Sequence, residues 1–343
     1  MTRIYKAFAL ATLALASVAC DTDVESLKIN EPSISEQNPE LYQAYLKDLR
    51  AYKQGEHKVA IAYLDNSRAQ SITQAQRISA VPDSLDYLVL THPTNIAELD
   101  AREIKENREQ KGTKTLYTID FEHIKQVHAI RVQEFEMNEA NAGKTYTPSL
   151  NDFLVDSVAK SLEWCNKYGY DGIVMAYAGK EKDYLTPLER QTYTSYEHIF
   201  IGMTLDWASR NPSKELLLQG LPQNIFSQEV LECAKYILID VRAAEGKSDA
   251  VLITEQAAAE QVPSDKLVPL VSTYSLDKDD TKTGYWGSDS AILGAARWVN
   301  IKNPRYDLAG LAMYNIGNDY FTPAFTFGTV RQAVNIINPS IKK

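Results

Sequence analysis

Short apolar or β-rich runs recur along the chain at Lys58–Leu64, Leu85–Thr91, Lys114–Ile119, Gly172–Tyr177, Glu215–Gln219, Tyr236–Val241, Leu267–Tyr274 and Leu308–Asn315. The intervals between them are long enough for helices, and several carry apolar residues at 3.6-residue spacing. One is Phe121–Asn138; another is Leu150–Lys167, with Phe153, Val158, Leu162 and Trp164. Thr329–Ile337 predicts a closing helix after the last run. Ahead of the first run, residues 38–54 place Leu41, Tyr45, Leu49 and Tyr52 near helical spacing and predict a packing helix. Eight strands alternating with helices, each strand apolar on both faces, predict an α/β fold: a single (β/α)8 TIM barrel over residues 55–343. A doubly wound open sheet is the alternative, but no glycine-rich phosphate turn follows an early strand.

The first residues read differently. Arg3 and Lys6 precede an apolar run from Ala7 to Leu15 and small residues up to Cys20. This is the layout of a signal peptide, here residues 1–19, and the run is too short to span a bilayer. Ser17-Val18-Ala19-Cys20 resembles a bacterial lipobox, which implies cleavage before Cys20 and acylation of its thiol. Residues 20–54 then form a lipidated tether followed by the packing helix. Asp21, Asp23 and Glu25 resemble the acidic tag of surface-exported Bacteroidetes lipoproteins, so the expected location is the outer membrane, facing outward.

A net charge of −9 without any basic run argues against a nucleic-acid partner. Cys165 and Cys233 each lie in a helical stretch just before a strand, which favours buried free thiols over a disulfide. The five histidines show no metal-ligand spacing, and the knot of Asp277, Asp279 and Asp280 lacks the further ligands and glycine of a calcium loop. Neither a metal nor a cofactor is expected. No Gly-x-Ser-x-Gly elbow is present.

In such barrels the ligand site forms at the carboxyl ends of the strands. The residues placed there are Tyr63 and Asp65, His92, Asp120 and Glu122, Tyr177, Gln219 and Gln223, Asp240 and Arg242, Tyr274, then Tyr314, Asn315, Asn318 and Asp319. Trp286 stands in the long loop after the seventh strand, and Tyr184, Tyr193, Tyr196, Tyr285 and Tyr320 are read as loop residues. Aromatic faces can stack on sugar rings while amides and carboxylates take the hydroxyls.

The segment from Trp164 to Ala178 narrows the picture. A helix ending in Tyr168-Gly169-Tyr170, followed by Asp171-Gly172-Ile173, resembles the signature of glycoside hydrolase family 18, in which the fourth strand reads Asp-Gly-x-Asp-x-Asp-x-Glu. The order of elements and the closing run Gly310–Asn315 are similar to barrel lipoproteins of that family related to endo-β-N-acetylglucosaminidases. Asp171 and Gly172 match. The three later acids fall on Val174, Ala176 and Ala178. The resemblance implies that the last of these positions supplies the proton donor and the one before it orients the substrate's N-acetyl group. Alternation along a strand points all three to one side, and alanine and valine can do neither job. Asp171, at the strand's start, is expected to serve capping or turn chemistry. On the sixth strand the family offers a Tyr, where this chain has Ile239-Asp240-Val241-Arg242.

The reading that follows is a catalytically silent, cell-surface glycan binder serving a neighbouring outer-membrane uptake complex. The resemblance implies N-acetylglucosamine-containing ligands. One alternative is a glycosidase working through displaced acids: Glu122, Glu181 or Asp240, with Asp120 also at the strand end. Another is a passive protein-binding scaffold.

Overall fold

The computed structural model describes residues 37–68, 73–323 and 325–339. The expected leader, Cys20 and the tether up to residue 36 lie outside the described residues. The chain divides after Tyr45. The first unit contributes, among described residues, the opening turns of helix α1 (Pro39–Gln54); the second unit runs from Leu46 onward.

That second unit is a closed barrel. Its strands are β1 (Val59–Leu64), β2 (Tyr87–Leu90), β3 (Lys114–Asp120), β4 (Gly172–Tyr177), β5 (Glu215–Gly220), β6 (Ile237–Asp240), β7 (Leu267–Ser272) and β8 (Gly310–Tyr314). Each pairs in parallel with its sequence neighbour, and β8 closes on β1 through the register Val59↔Gly310 to Ala62↔Met313. Helices α2 (Glu98–Glu106), α3 (Phe121–Met137), α4 (Leu150–Lys167), α5 (Pro187–Arg210), α6 (Gln228–Cys233), α7 (Lys247–Ala257) and α8 (Ala291–Val299) lie in the crossovers from β2 onward, two of them between β3 and β4, and α9 (Gly328–Ile337) follows β8. Between β1 and β2 the described residues form only the 3-10 turns Gln74–Gln76 and Ile78–Ala80. Among the described residues no helix is long and apolar enough to cross a membrane.

Strand alternation sorts the core into two shells. Inside the barrel lie Ile61 and Tyr63 of β1, Val89, Leu116, Val174, Leu217, Leu238, Leu270 and Ala312. The intervening residues, such as Ala62, Ile173, Met175 and Tyr177, face the helices. Burying one such aliphatic side chain contributes roughly 1.5–3 kcal/mol. The inner shell fixes the parity of β4: Val174 points inward, as strand alternation predicts, and Ala176 follows two residues on.

Some expectations need correction. Tyr193 and Tyr196 are not loop residues; they belong to α5, a 24-residue helix. Its apolar residues are spread around its circumference, so the periodicity is weak. Its start is nonetheless written in Thr186-Pro187-Leu188-Glu189, a reciprocal capping box with Pro at the first helical position. Cys165 is buried and Cys233 exposed, and both are free thiols; α6 is too short to cover its last residue. Tyr285 and Trp286 pair with Asp289–Ser290 as a small hairpin, with Trp286 laid over Gly294 of α8.

At the amino-terminal face, the second half of α1 buries Leu46 and Leu49. Lys53 donates to the Leu85 carbonyl at 2.6 Å and to Thr113 Oγ1 at 2.7 Å. Nearby, Asp86 accepts from the Ala60 N–H at 2.8 Å and pairs with His57 at 2.9 Å. Burial lowers the Lys53 ammonium to about 8, against the pull of Asp86 and Asp83. Between about 8 and the ordinary lysine value of 10.5, the unfolded chain therefore binds more protons at this site than the folded one. Stability contributed here rises with pH across that window. Wild type is accordingly expected to gain stability relative to Lys53→Met as pH rises from about 7 to about 9.5. Paired denaturant titrations at the two pH values check this, and a difference that does not change with pH would contradict it.

Candidate functional site

The carboxyl ends of the strands open into a cavity of about 740 Å³. Asp120, Glu122, Ala176, Tyr177, Ala178, Asp240, Arg242 and Tyr314, all singled out from the sequence, line it. Gln219 lines it too, with Gly220, Leu221, Ala243, Ser272 and Thr283. The parity of the inner shell explains the grouping. In register, Asp120 of β3 lies beside Ala176 of β4, which lies beside Gln219 of β5. The floor along β4 is therefore methyl groups, flanked by a carboxylate on one side and an amide on the other.

A connected set of side chains rises opposite. Asp240 holds Arg242 through Nε at 2.8 Å and Nη2 at 2.5 Å, and accepts from its backbone N–H at 3.1 Å. β6 ends at Asp240 and Arg242 stands in the turn that follows; the bond from its N–H to the carboxylate two residues back is an Asx turn, which folds the guanidinium onto Asp240. The Arg242 Cζ lies 4.3 Å from the centre of the Tyr314 ring, which packs on Tyr63 at 5.4 Å. Tyr63 itself lies below the cavity and donates its hydroxyl to Gln219 Oε1 at 2.6 Å. Burial, opposed by Arg242, pushes the Tyr63 phenol well above its usual range, so it stays a donor. Gln219 thereby accepts through its oxygen and keeps its NH2 for other partners. The hydrogen bonds that Arg242 donates to Asp240 hold its guanidinium firmly charged.

The remaining acids are differently employed. Asp120 accepts the His123 N–H at 3.1 Å and caps α3. Glu122 pairs with Lys125 at 3.0 Å. Glu181 is exposed at the start of a short 3-10 turn and does not line the cavity. Asp171 does not cap α4. Its carboxylate accepts the Thr115 N–H of β3 at 2.9 Å and pairs with Arg108 at 2.8 Å.

Other predicted site residues stand outside the cavity. Asp65 and His92 face each other at 3.5 Å on the exposed rim. Tyr274 donates its hydroxyl to the Asn318 carbonyl at 2.8 Å, joining the loops after β7 and β8. Asn315 takes a left-handed backbone (φ 56°), and its carbonyl accepts from Thr273 at 2.7 Å. Asp319 is buried, holding Thr322 and the Val330 N–H. Gln223 has a buried side-chain oxygen, and Trp286 serves the hairpin.

Two features of the walls are new. Gly284 (φ 83°) presses on the Thr273–Tyr274 backbone, where a Cβ would come within 2.4 Å of Tyr274 N, and so carries Thr283 to the cavity edge. On the far side, Glu197 of α5 accepts the N–H groups of Phe226 (2.9 Å) and Ser227 (3.1 Å), and Lys182 donates to the Ile225 carbonyl at 2.6 Å. Burial raises the Glu197 carboxyl, against the N–H donors of Ser227 and Phe226 and the Tyr177 hydroxyl. These bonds fasten the loops after β4 and β5 to each other. Among the described residues no group of three or more His, Cys, Asp or Glu is placed to hold a metal ion.

Comparison with known proteins bears on this site. The family description "Glycoside hydrolase family 18, BT1044-like" matches residues 22–336. No curated protein matches the chain. A selenomethionine, glutamate-to-glutamine variant of BT1044 superposes with a TM-score of 0.62 at 14% identity, covering 90% of this chain and 96% of that one. An endo-β-N-acetylglucosaminidase from Cordyceps militaris gives 0.58 at 15%, covering 86% and 96%. The same enzyme, as a variant in complex with fucosyl-N-acetylglucosamine-Asn, gives 0.57 at 15% with the same coverage. At these identities the likeness shows the fold.

Proposed function

Because the chain belongs to glycoside hydrolase family 18, BT1044-like, we propose that it uses the family's barrel mouth to hold a glycan without cleaving it. The observation that carries this reading is the inner row of β4, where Val174, Ala176 and Ala178 present hydrocarbon at the family's acid positions. A proton donor poised at the glycosidic oxygen contributes about 10²–10⁴-fold to such a reaction. Methyl groups contribute none. Asp240, the acid at the end of β6, is committed to Arg242. The cavity still has what a sugar needs: the Tyr314 ring, the Gln219 amide and an apolar floor. The ligand class is N-acetylglucosamine-containing glycan, on the strength of the family and of the fucosyl-N-acetylglucosamine-Asn complex of its relative.

The biological setting is part of the same proposal. The leader would be removed, Cys20 acylated, and the barrel displayed from the outer membrane beside an uptake complex. Labelling of cells with a palmitate analogue is expected to mark the protein and to fail in Cys20→Ala; labelling that survives the substitution would contradict the anchor.

Asp120 favours a second reading, hydrolysis by a displaced acid, since it is in register with Ala176 and open to the cavity. One experiment separates the two. Calorimetry with N-acetylglucosamine oligomers and a chitobiose-cored glycopeptide is expected to show saturable binding, with no new reducing ends after prolonged incubation. Cleavage that disappears in Asp120→Asn or Glu122→Gln would replace the binding reading with the enzymatic one.

A further inference from the structure

Arg242 is the single cation among the described residues lining the cavity, which also presents the carboxylates of Asp120, Glu122 and Asp240. The guanidinium offers its forked edge, Nε and Nη2, to Asp240, which occupies both. That edge is the one a ligand carboxylate would need for bidentate recognition. Among the described residues Nη1 has no hydrogen-bond partner, and the Tyr314 ring lies against the guanidinium. Arg242 thus keeps a donor for a neutral oxygen while its charge is cancelled locally.

We propose that the Asp240–Arg242 pair is the specificity-determining element of this mouth, selecting an uncharged glycan and rejecting one that carries carboxylates. The inference rests on the glycan-binding reading and adds the charge class of the ligand. A hydroxyl or amide oxygen accepts from Arg242 Nη1 or from the Gln219 amide at no electrostatic cost. A sugar carboxylate gives up its hydration, meets Asp120 and Glu122, and finds the Arg242 guanidinium already paired. Lys125 offsets Glu122 in part but does not line the cavity. Like charges brought together at an interface suppress the wrong partner more than complementary ones tighten the right one.

The test uses a matched pair of ligands: the N-acetylglucosamine tetramer, and the same tetramer with its C6 hydroxymethyl groups oxidised to carboxylates. Calorimetric titration of the full protein is expected to show the neutral tetramer binding at least about tenfold tighter. In Asp240→Asn, which frees the guanidinium and removes one carboxylate, that ratio is expected to fall by about tenfold. In wild type it is expected to shrink as salt rises from about 20 mM to about 500 mM, a trend that needs no variant to fold. Binding of neither ligand would overturn the glycan reading itself. Equal binding of the two by wild type, a ratio unmoved by salt, or a ratio unchanged in folded Asp240→Asn would overturn the charge selection and leave glycan binding standing.

Discussion

Writing the missing acids back into β4, as the double variant Ala176→Asp with Ala178→Glu, is expected to raise glycosidase activity at least about 10²-fold above the parent. The geometry favours it. Both alanines line the cavity, so the new groups reach ligand rather than core. The carboxylate at position 176 would stand in register with Asp120. Two neighbouring carboxylates resist ionising together, which raises the affinity of one of them for a proton. The walls are already built, since Glu197 and Lys182 fasten the loops after β4 and β5 whatever stands at 176 and 178. Reducing-end release from a chitobiose-cored substrate measures the effect. If the variant binds glycan yet turns over no faster than the parent, the silence we propose does not lie in β4, and Arg242, where the family resemblance implies a Tyr nearby, becomes the block.

Removing the half of the motif that is present is expected to damage the fold instead. Asp171→Ala is expected to cost about 3 kcal/mol of stability, because it strands a buried backbone donor and unpairs a cation at once. The donor is the Thr115 N–H, on a fully buried residue. The cation is Arg108, which also donates to the Gly169 carbonyl; it is partly open to water, and screening weakens its share. The next residue is fixed by space. A Cβ on Gly172 would sit 2.2 Å from the Glu215 carbonyl oxygen, so the β4–β5 ladder admits only glycine there. On the proposed reading the motif divides by role: Asp171 and Gly172 hold up the barrel wall, and positions 174, 176 and 178 are those at which the family resemblance implies chemistry. Denaturant midpoints of folded variants measure the Asp171 effect, and a loss below about 1 kcal/mol would contradict the assignment.

How much of this was legible in the sequence follows the range of the interactions. Gly172–Tyr177 and Leu150–Lys167 coincide with the observed elements because apolar period and turn chemistry are local. Alternation then put Val174 and Ala176 inside the barrel without any tertiary information. The Asp240–Arg242 pair was readable in principle, since an Asp at a strand end commonly accepts the N–H two residues on and turns the chain there. The rim was not. His92 turns to Asp65, Tyr274 spends its hydroxyl on Asn318, and Trp286 covers Gly294, each through contacts made by loop conformations that no periodicity encodes. Glu197 was missed for a related reason. An acid on a helix with little amphipathic contrast reads as solvated, and only the arrival of the Phe226 and Ser227 donors from a distant loop makes it a buried anchor.

The bolted end of the barrel has a consequence for engineering. Lys53 grips Leu85 and Thr113 at the face where β1 begins, and the cavity lies at the opposite rim. Changes that loosen or tighten this closed end therefore act on folding at a distance from the groups that meet a ligand, so the scaffold can be stabilised there without reshaping the bowl.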